Sequence, residues 1–249
     1  MKRIFSIILA FTLIFVASGC QPVARPRPGT NGPPNTRWSP FVITEDLGDK
    51  FNFTNNDASK LNVFAEPGNS QGNTRLGFIN NSTPTARDAE SCMSWNGPFN
   101  TMSQPGIILR HRQISGGDQA IMVTNSIMFG WRAGINVHLV NTNPKNIFPG
   151  AAKHNAYAQI GSISSSLVGD PNRQKLPWTF CARVVGNKIS IKGWSSTTAE
   201  PAWNSTDTSK VGHFTLPNDY VYSGKHGVYA GHIVPSFRID SESVSVRAL

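Results

Sequence analysis

Short apolar runs recur along most of this chain, separated by Gly, Pro, Asn and Ser, and an apolar period of 3.6 residues is hard to find. Runs at 61–64, 91–95, 106–110, 120–124, 134–140, 178–184, 188–192, 227–230 and 237–246 have strand length and strand composition, so they predict strands. The clearest local signal lies at 180–192. There Gly186-Asn187 supplies two turn positions tolerant of positive φ, and Ile189 and Ile191 alternate with Lys188, Ser190 and Lys192. Val244 and Val246 repeat that alternation near the C-terminus. Many separate strands with turn signals between them predict an all-β, two-sheet antiparallel sandwich.

The first residues follow a different pattern. Lys2 and Arg3 precede an almost unbroken apolar run at 4–16, and Ala17-Ser18-Gly19-Cys20 closes it with small residues. The run is too short for a permanent membrane span and reads as a targeting segment. It resembles the bacterial lipobox, whose cysteine is acylated and becomes the first residue of the mature chain; Ala17 stands where that pattern more often has leucine. An ordinary secretory signal with a free Cys20 is the alternative. Residues 21–40 contain six prolines and cannot continue a helix. The expected organisation is therefore a lipoprotein signal peptide at 1–19, an acylated Cys20 with a Pro- and Gly-rich tether at 20–38, and one domain at 39–249. Anchoring through Cys20 to the cell membrane or outer envelope, on its extracytoplasmic side, follows from that reading.

Charge changes this picture little. Removing residues 1–19 takes away Lys2 and Arg3 and no acid, so the formal balance falls from +9 to +7 on 230 residues, and Arg25, Arg27 and Arg37 lie in the tether. No run of basic residues interleaved with aromatics stands in the domain, so nucleic acid is not expected as a partner. Beyond Cys20 only Cys92 and Cys181 remain, which in an exported domain suggests one disulfide; two buried thiols would fit the spacing equally.

Several segments carry a family likeness. Gln104-Pro105-Gly106-Ile107-Ile108-Leu109-Arg110, the 184–191 hairpin, Trp194, Glu200-Pro201-Ala202-Trp203, Gly227-Val228-Tyr229-Ala230-Gly231-His232 and Phe237-Arg238-Ile239-Asp240 together resemble the concanavalin A-like lectin/glucanase and laminin-G-like jelly-roll superfamily. The likeness spans about residues 86–249. It implies two curved antiparallel sheets, often a carbohydrate site on the concave face or its rim loops, and sometimes a calcium ion. The same scaffold serves as a non-catalytic recognition or assembly module in cell-surface and phage proteins, so the fold alone does not choose the function.

Glycoside hydrolysis needs two carboxylates across the scissile bond. The glucanases of this superfamily carry Glu-x-Asp-x-Glu on a strand, whereas this chain offers only Asp88-Ala89-Glu90 followed by Ser91. A shared strand face could raise the pKa of one of these acids, and Asp118 could supply a partner from a neighbouring turn. The third acid of the motif is missing, so a glycan-cleaving enzyme is the secondary reading. The six histidines are scattered without ligand spacing, and neither a Gly-x-Ser-x-Gly elbow nor a phosphate loop is present. Asp219, Asp240 and Glu242 could supply oxygens to calcium only if separate loops brought them together. Aromatic residues point instead to sugar stacking. Trp95 with Asn96 and Asn100, Trp131-Arg132, and Trp194 are the candidate binding residues, with Trp178 and Trp203 expected in the core. The expected partner is a glycan or, failing that, a surface protein.

Overall fold

A computed structural model describes residues 37–45, 48–54, 59–70, 72, 74–97, 103–126, 134–145, 156–163 and 176–249. Among them are fourteen strands: β1 Trp38–Thr44, β2 Phe51–Thr54, β3 Leu61–Ala65, β4 Arg75–Asn80, β5 Ala89–Trp95, β6 Gln104–Ile114, β7 Gly117–Ser126, β8 Gly134–Asn141, β9 Tyr157–Ile163, β10 Trp178–Val185, β11 Lys188–Ser195, β12 Val211–Thr215, β13 Lys225–Gly231 and β14 Arg238–Ala248. One turn of 3-10 helix lies at Asn218–Tyr220. The strands form two seven-stranded antiparallel sheets. The first has the order β1-β4-β13-β6-β7-β8-β9, the second β12-β11-β10-β5-β14-β3-β2. This is the expected all-β sandwich, and every predicted run falls on an observed strand.

Period-two alternation builds the core between the sheets. Ile107, Leu109, Ile121, Val123, Ile135, Val137, Phe78 and Val228 point inward from the first sheet, and meet Ala89, Met93, Phe180, Val184, Ile189, Ile191 and Ile239 from the second. Trp38, the first residue of β1, is also buried there. On one side, Phe214 of β12 lies against Gly161 of β9, where a side chain at residue 161 would collide with the ring. That contact packs the edge strands of the two sheets together.

Cys92 and Cys181 are directly paired on β5 and β10 and joined by a disulfide. Their sequence separation is 89, so the bond removes a long loop from the unfolded chain, worth about 4–5 kcal/mol in the chain-entropy account.

At one end of the sandwich, Arg110 of β6 has a left-handed φ of 51° and a completely buried side chain. Its Nε donates to the Arg87 carbonyl (2.6 Å), Nη1 to the Tyr220 carbonyl (2.7 Å) and Nη2 to the Gly186 carbonyl (2.7 Å). Asp88 lies 3.4 Å from Nη2 and accepts the Gly186 N–H at 2.9 Å. Arg110→Met therefore takes the guanidinium donor from three carbonyls and leaves Asp88 with the Gly186 N–H and Arg87. The expected loss is about 3–5 kcal/mol, read as a fall in the urea midpoint with the disulfide intact. An Arg110→Met midpoint within error of the parent would show that the cluster is dispensable.

Candidate functional site

The two faces of the first sheet differ. Its inner face is apolar, whereas its outer face mixes Ile79, Ile108, Met122, Val140 and Tyr229 with the buried polar residues Arg75, Gln104, Thr124, Asn136, His138 and His232. This face is concave. Arg75 on β4 and Tyr157 on β9 are five strand positions apart, about 24 Å in a flat sheet. The Arg75 Cζ nevertheless lies 5.1 Å from the centre of the Tyr157 ring, so the sheet must curl around them. Tyr157 meets His138 edge-on at 5.6 Å.

Hydrogen bonds fix the lining of this hollow. Arg75 Nη1 donates to Thr44 Oγ1 (3.2 Å), and Nη2 donates to His232 Nε2. A guanidinium has no acceptor, so His232 accepts on Nε2 and carries its proton on Nδ1. His138 Nε2 lies 3.2 Å from Thr124 Oγ1, and the Tyr229 hydroxyl donates to Gln104 Oε1 (3.3 Å). The other ring nitrogen of His138, Nδ1, is buried without a hydrogen-bond partner. Burial, followed by the charge of Arg75, lowers both His138 and His232 to a pKa of about 3, so both rings are neutral at ordinary pH. Burial also raises the Tyr229 phenol well above its usual range. The hollow thus offers ring faces, one guanidinium and neutral hydrogen-bonding groups.

The residues singled out in the sequence are dispersed. Trp95 is not a sugar platform: it is completely buried, and its ring packs edge-on against Trp178 at 5.4 Å. The cause is register. Trp95 shares the inward parity of Ala89, Ser91 and Met93 on β5, while Asn96 is exposed just beyond the strand. Trp194 is half-buried on the outer face of the second sheet. Asn100, Trp131, Arg132 and Cys20 lie outside the described residues.

The carboxylates considered for catalysis are each held by partners within the fold. Asp88 belongs to the Arg110 cluster. Glu90 is held on the outer face of the second sheet by Arg183 (2.6 Å), Arg247 (3.0 Å) and the Trp203 indole N–H (3.0 Å). Asp118 is 2.9 Å from His111 Nε2. Each of the three carboxylates is thus engaged by a basic or backbone partner. The three calcium candidates do not form one site. Asp219 is adjacent to Tyr220 in the Arg110 cluster, whereas the Asp240 N–H bonds to the Gly97 carbonyl beyond the other end of β5, about 30 Å away along the strand. Among the described residues no three His, Cys, Asp or Glu side chains converge as a metal site requires.

Arg75 and His138 were not singled out from the sequence. For His138 the signal was present, because Ile135, Val137 and Leu139 alternate with Asn136 and His138, which places the histidine on the opposite face from the core.

No family model matches the chain, and no curated protein sequence does either. Among solved structures it is similar to the exoplasmic/lumenal domain of VIP36. The Ca2+-bound form gives 12% identity and a TM-score of 0.50 over 90% of this chain and 88% of that one. The Ca2+/Man2-bound form gives 11% and 0.50 over 85% and 81%. The legume lectin-like domain from Entamoeba histolytica gives 8% identity and a TM-score of 0.49 over 86% and 90%. The chain has the concanavalin A-like lectin fold; at these identities the likeness extends to the fold and not to the residues of a site.

The buried histidines make stability depend on pH. His138, His232 and His226, the last lowered by burial to about 4, stay neutral in the folded protein where the unfolded chain would protonate near 6.5. Below that pH the unfolded state binds more protons, so stability falls as pH drops towards 4. Each ring contributes a loss of roughly 3 kcal/mol at about pH 4.5. Urea midpoints at about pH 7.5 and about pH 4.5 should show this drop, and His138→Asn should reduce it. Equal pH slopes for parent and variant would contradict the assignment to His138.

Proposed function

We propose that this protein is a lipid-anchored surface recognition module that binds a cell-envelope or extracellular glycan in the hollow of its first sheet without cleaving it. The observation that carries this reading is the lining of the hollow, where Tyr157 and Arg75 lie against each other above neutral His138 and Thr124. A ring face suits the apolar side of a pyranose, and the guanidinium and imidazole suit its hydroxyls. The unpartnered Nδ1 of His138 is a polar atom that a hydroxyl could satisfy. VIP36, which shares the fold, has been solved with Ca2+ and Man2 bound, so this architecture accommodates a sugar. The carboxylates considered for acid catalysis are tied to basic or backbone partners elsewhere, which favours binding over hydrolysis.

The test is a glycan array probed with the full chain in detergent, with the bound sugars then analysed by mass spectrometry. Tyr157→Ala should weaken binding about tenfold, and the sugars should remain intact. Released oligosaccharides would make the protein a hydrolase or lyase. Absence of glycan binding, with a protein partner captured through the same face, would make it a structural or protein-interaction lipoprotein of host or phage origin.

Anchoring has its own test. The mature chain should begin at Cys20 with its mass increased by acyl groups and should partition into detergent, and Cys20→Ser should move it to the aqueous phase. An unmodified Cys20 would make the leader an ordinary secretory signal.

A further inference from the structure

Strand register places a second polar stripe far from the hollow. On the outer face of the second sheet, Trp194 of β11 is opposite Thr179 of β10, Thr179 is opposite Ser94 of β5, and Ser94 is opposite Glu242 of β14. All four side chains are half-buried and share one face, because their neighbours Phe180, Met93, Trp95 and Ser241 point into the core. The row crosses three strand spacings, about 14 Å. Asn96 is exposed at its margin, and Asp240, two residues before Glu242 on β14, shares the face.

The chemistry along this row is ordered. Ser94 Oγ and Thr179 Oγ1 are 2.8 Å apart, so the hydroxyls orient each other and keep further lone pairs available. At one end the Trp194 ring is supported from its own strand by Lys192, whose Nζ lies 5.5 Å from the ring centre. Lys192 is itself held by Glu200 and the Pro201 carbonyl (3.1 Å). At the other end Glu242 presents a carboxylate, which accepts hydrogen bonds from vicinal hydroxyls. Asp240 is bridged to Arg238 at 2.9 Å.

We infer that this stripe is a second binding site, for a neutral oligosaccharide lying across β11, β10, β5 and β14 with a sugar ring stacked on Trp194 and hydroxyls donated to Glu242. A neutral sugar is favoured over an acidic one because the Glu242 carboxylate at the end of the row would repel an anionic group laid against it. The inference does not need the hollow to be a glycan site. If both faces bind, two weak sites on one anchored chain reinforce each other through effective concentration.

The test uses the full chain labelled with fluorotryptophan, in which the fluorine resonance that disappears in Trp194→Phe reports on Trp194. Neutral gluco-, manno-, xylo- and chito-oligosaccharides and an acidic galacturonide are titrated separately. At least one neutral series should shift the Trp194 resonance and the galacturonide should not. Glu242→Gln and Thr179→Val should each weaken that titration, Glu242→Gln about tenfold. Tyr157→Ala should leave it unchanged, which separates this site from the hollow. The inference is overturned if no neutral sugar moves the Trp194 resonance, if the galacturonide moves it most, or if Glu242→Gln and Thr179→Val titrate like the parent.

Discussion

The buried guanidinium of Arg110 is the constraint around which one end of the sandwich is organised. It belongs to the first sheet, but its acceptors come from the lead into β5, the turn between β10 and β11 and the end of the 3-10 turn. Burial pulls its pKa below the usual guanidinium value, while the charge of Asp88 acts in the opposite direction. Carbonyl dipoles from three segments replace the water that the cation loses, so the segments must arrive together. The backbone agrees with the side chain: Arg110 has a positive φ, and a Cβ at residue 224 would collide with the Arg110 backbone. Packing of the two sheets against one another is thus tied to a polar contact, with the apolar core filling the space between.

The hollow depends on a different device. On the concave face the Phe41 ring lies over Gly77, and the Tyr229 ring lies along its own strand with its hydroxyl over Gly231. Side chains at these glycines would lift both rings away from the sheet. Because they are absent, the rings lie flat and Arg75 has room to reach across to Tyr157. Curvature, glycine placement and the buried polar lining are therefore parts of one arrangement.

This explains which features could be read from the sequence. Strands with one wet face, such as β11 with its Ile189/Ile191 alternation, were legible, as was the Gly186-Asn187 turn between β10 and β11. Strand β4 was not, because all six of its residues are buried and a glycine interrupts the run, so it shows neither alternation nor a continuous apolar pattern. β1 carries Pro40, which its place at the edge of the first sheet tolerates. The disulfide followed from the cysteine count and the expectation of export, and pairing across β5 and β10 resolves the alternative of free thiols. The site was the least legible part. Composition drew attention to tryptophan, but parity turns Trp95 into the core, and the contact between Arg75 and Tyr157 joins residues whose proximity depends on sheet curvature.

The distribution of acids bears most directly on function. Basic residues outnumber acids by 23 to 14, and the acids that the structure describes serve repeatedly as counter-ions or caps. Asp88 faces Arg110, Glu90 joins Arg183 to Arg247, and Glu200 holds Lys192. Asp207 accepts from Ser209 and pairs with Lys210. Trp203 illustrates the pattern, since its ring lies between Arg183 at 4.7 Å and Lys192 at 4.3 Å while its N–H reaches Glu90. Acid catalysis would require a carboxylate free to meet a substrate, and Asp88 and Glu90 are already engaged by basic and backbone partners. These four acids stabilise loops and strand pairs. That distribution supports the proposed reading of glycan binding without cleavage.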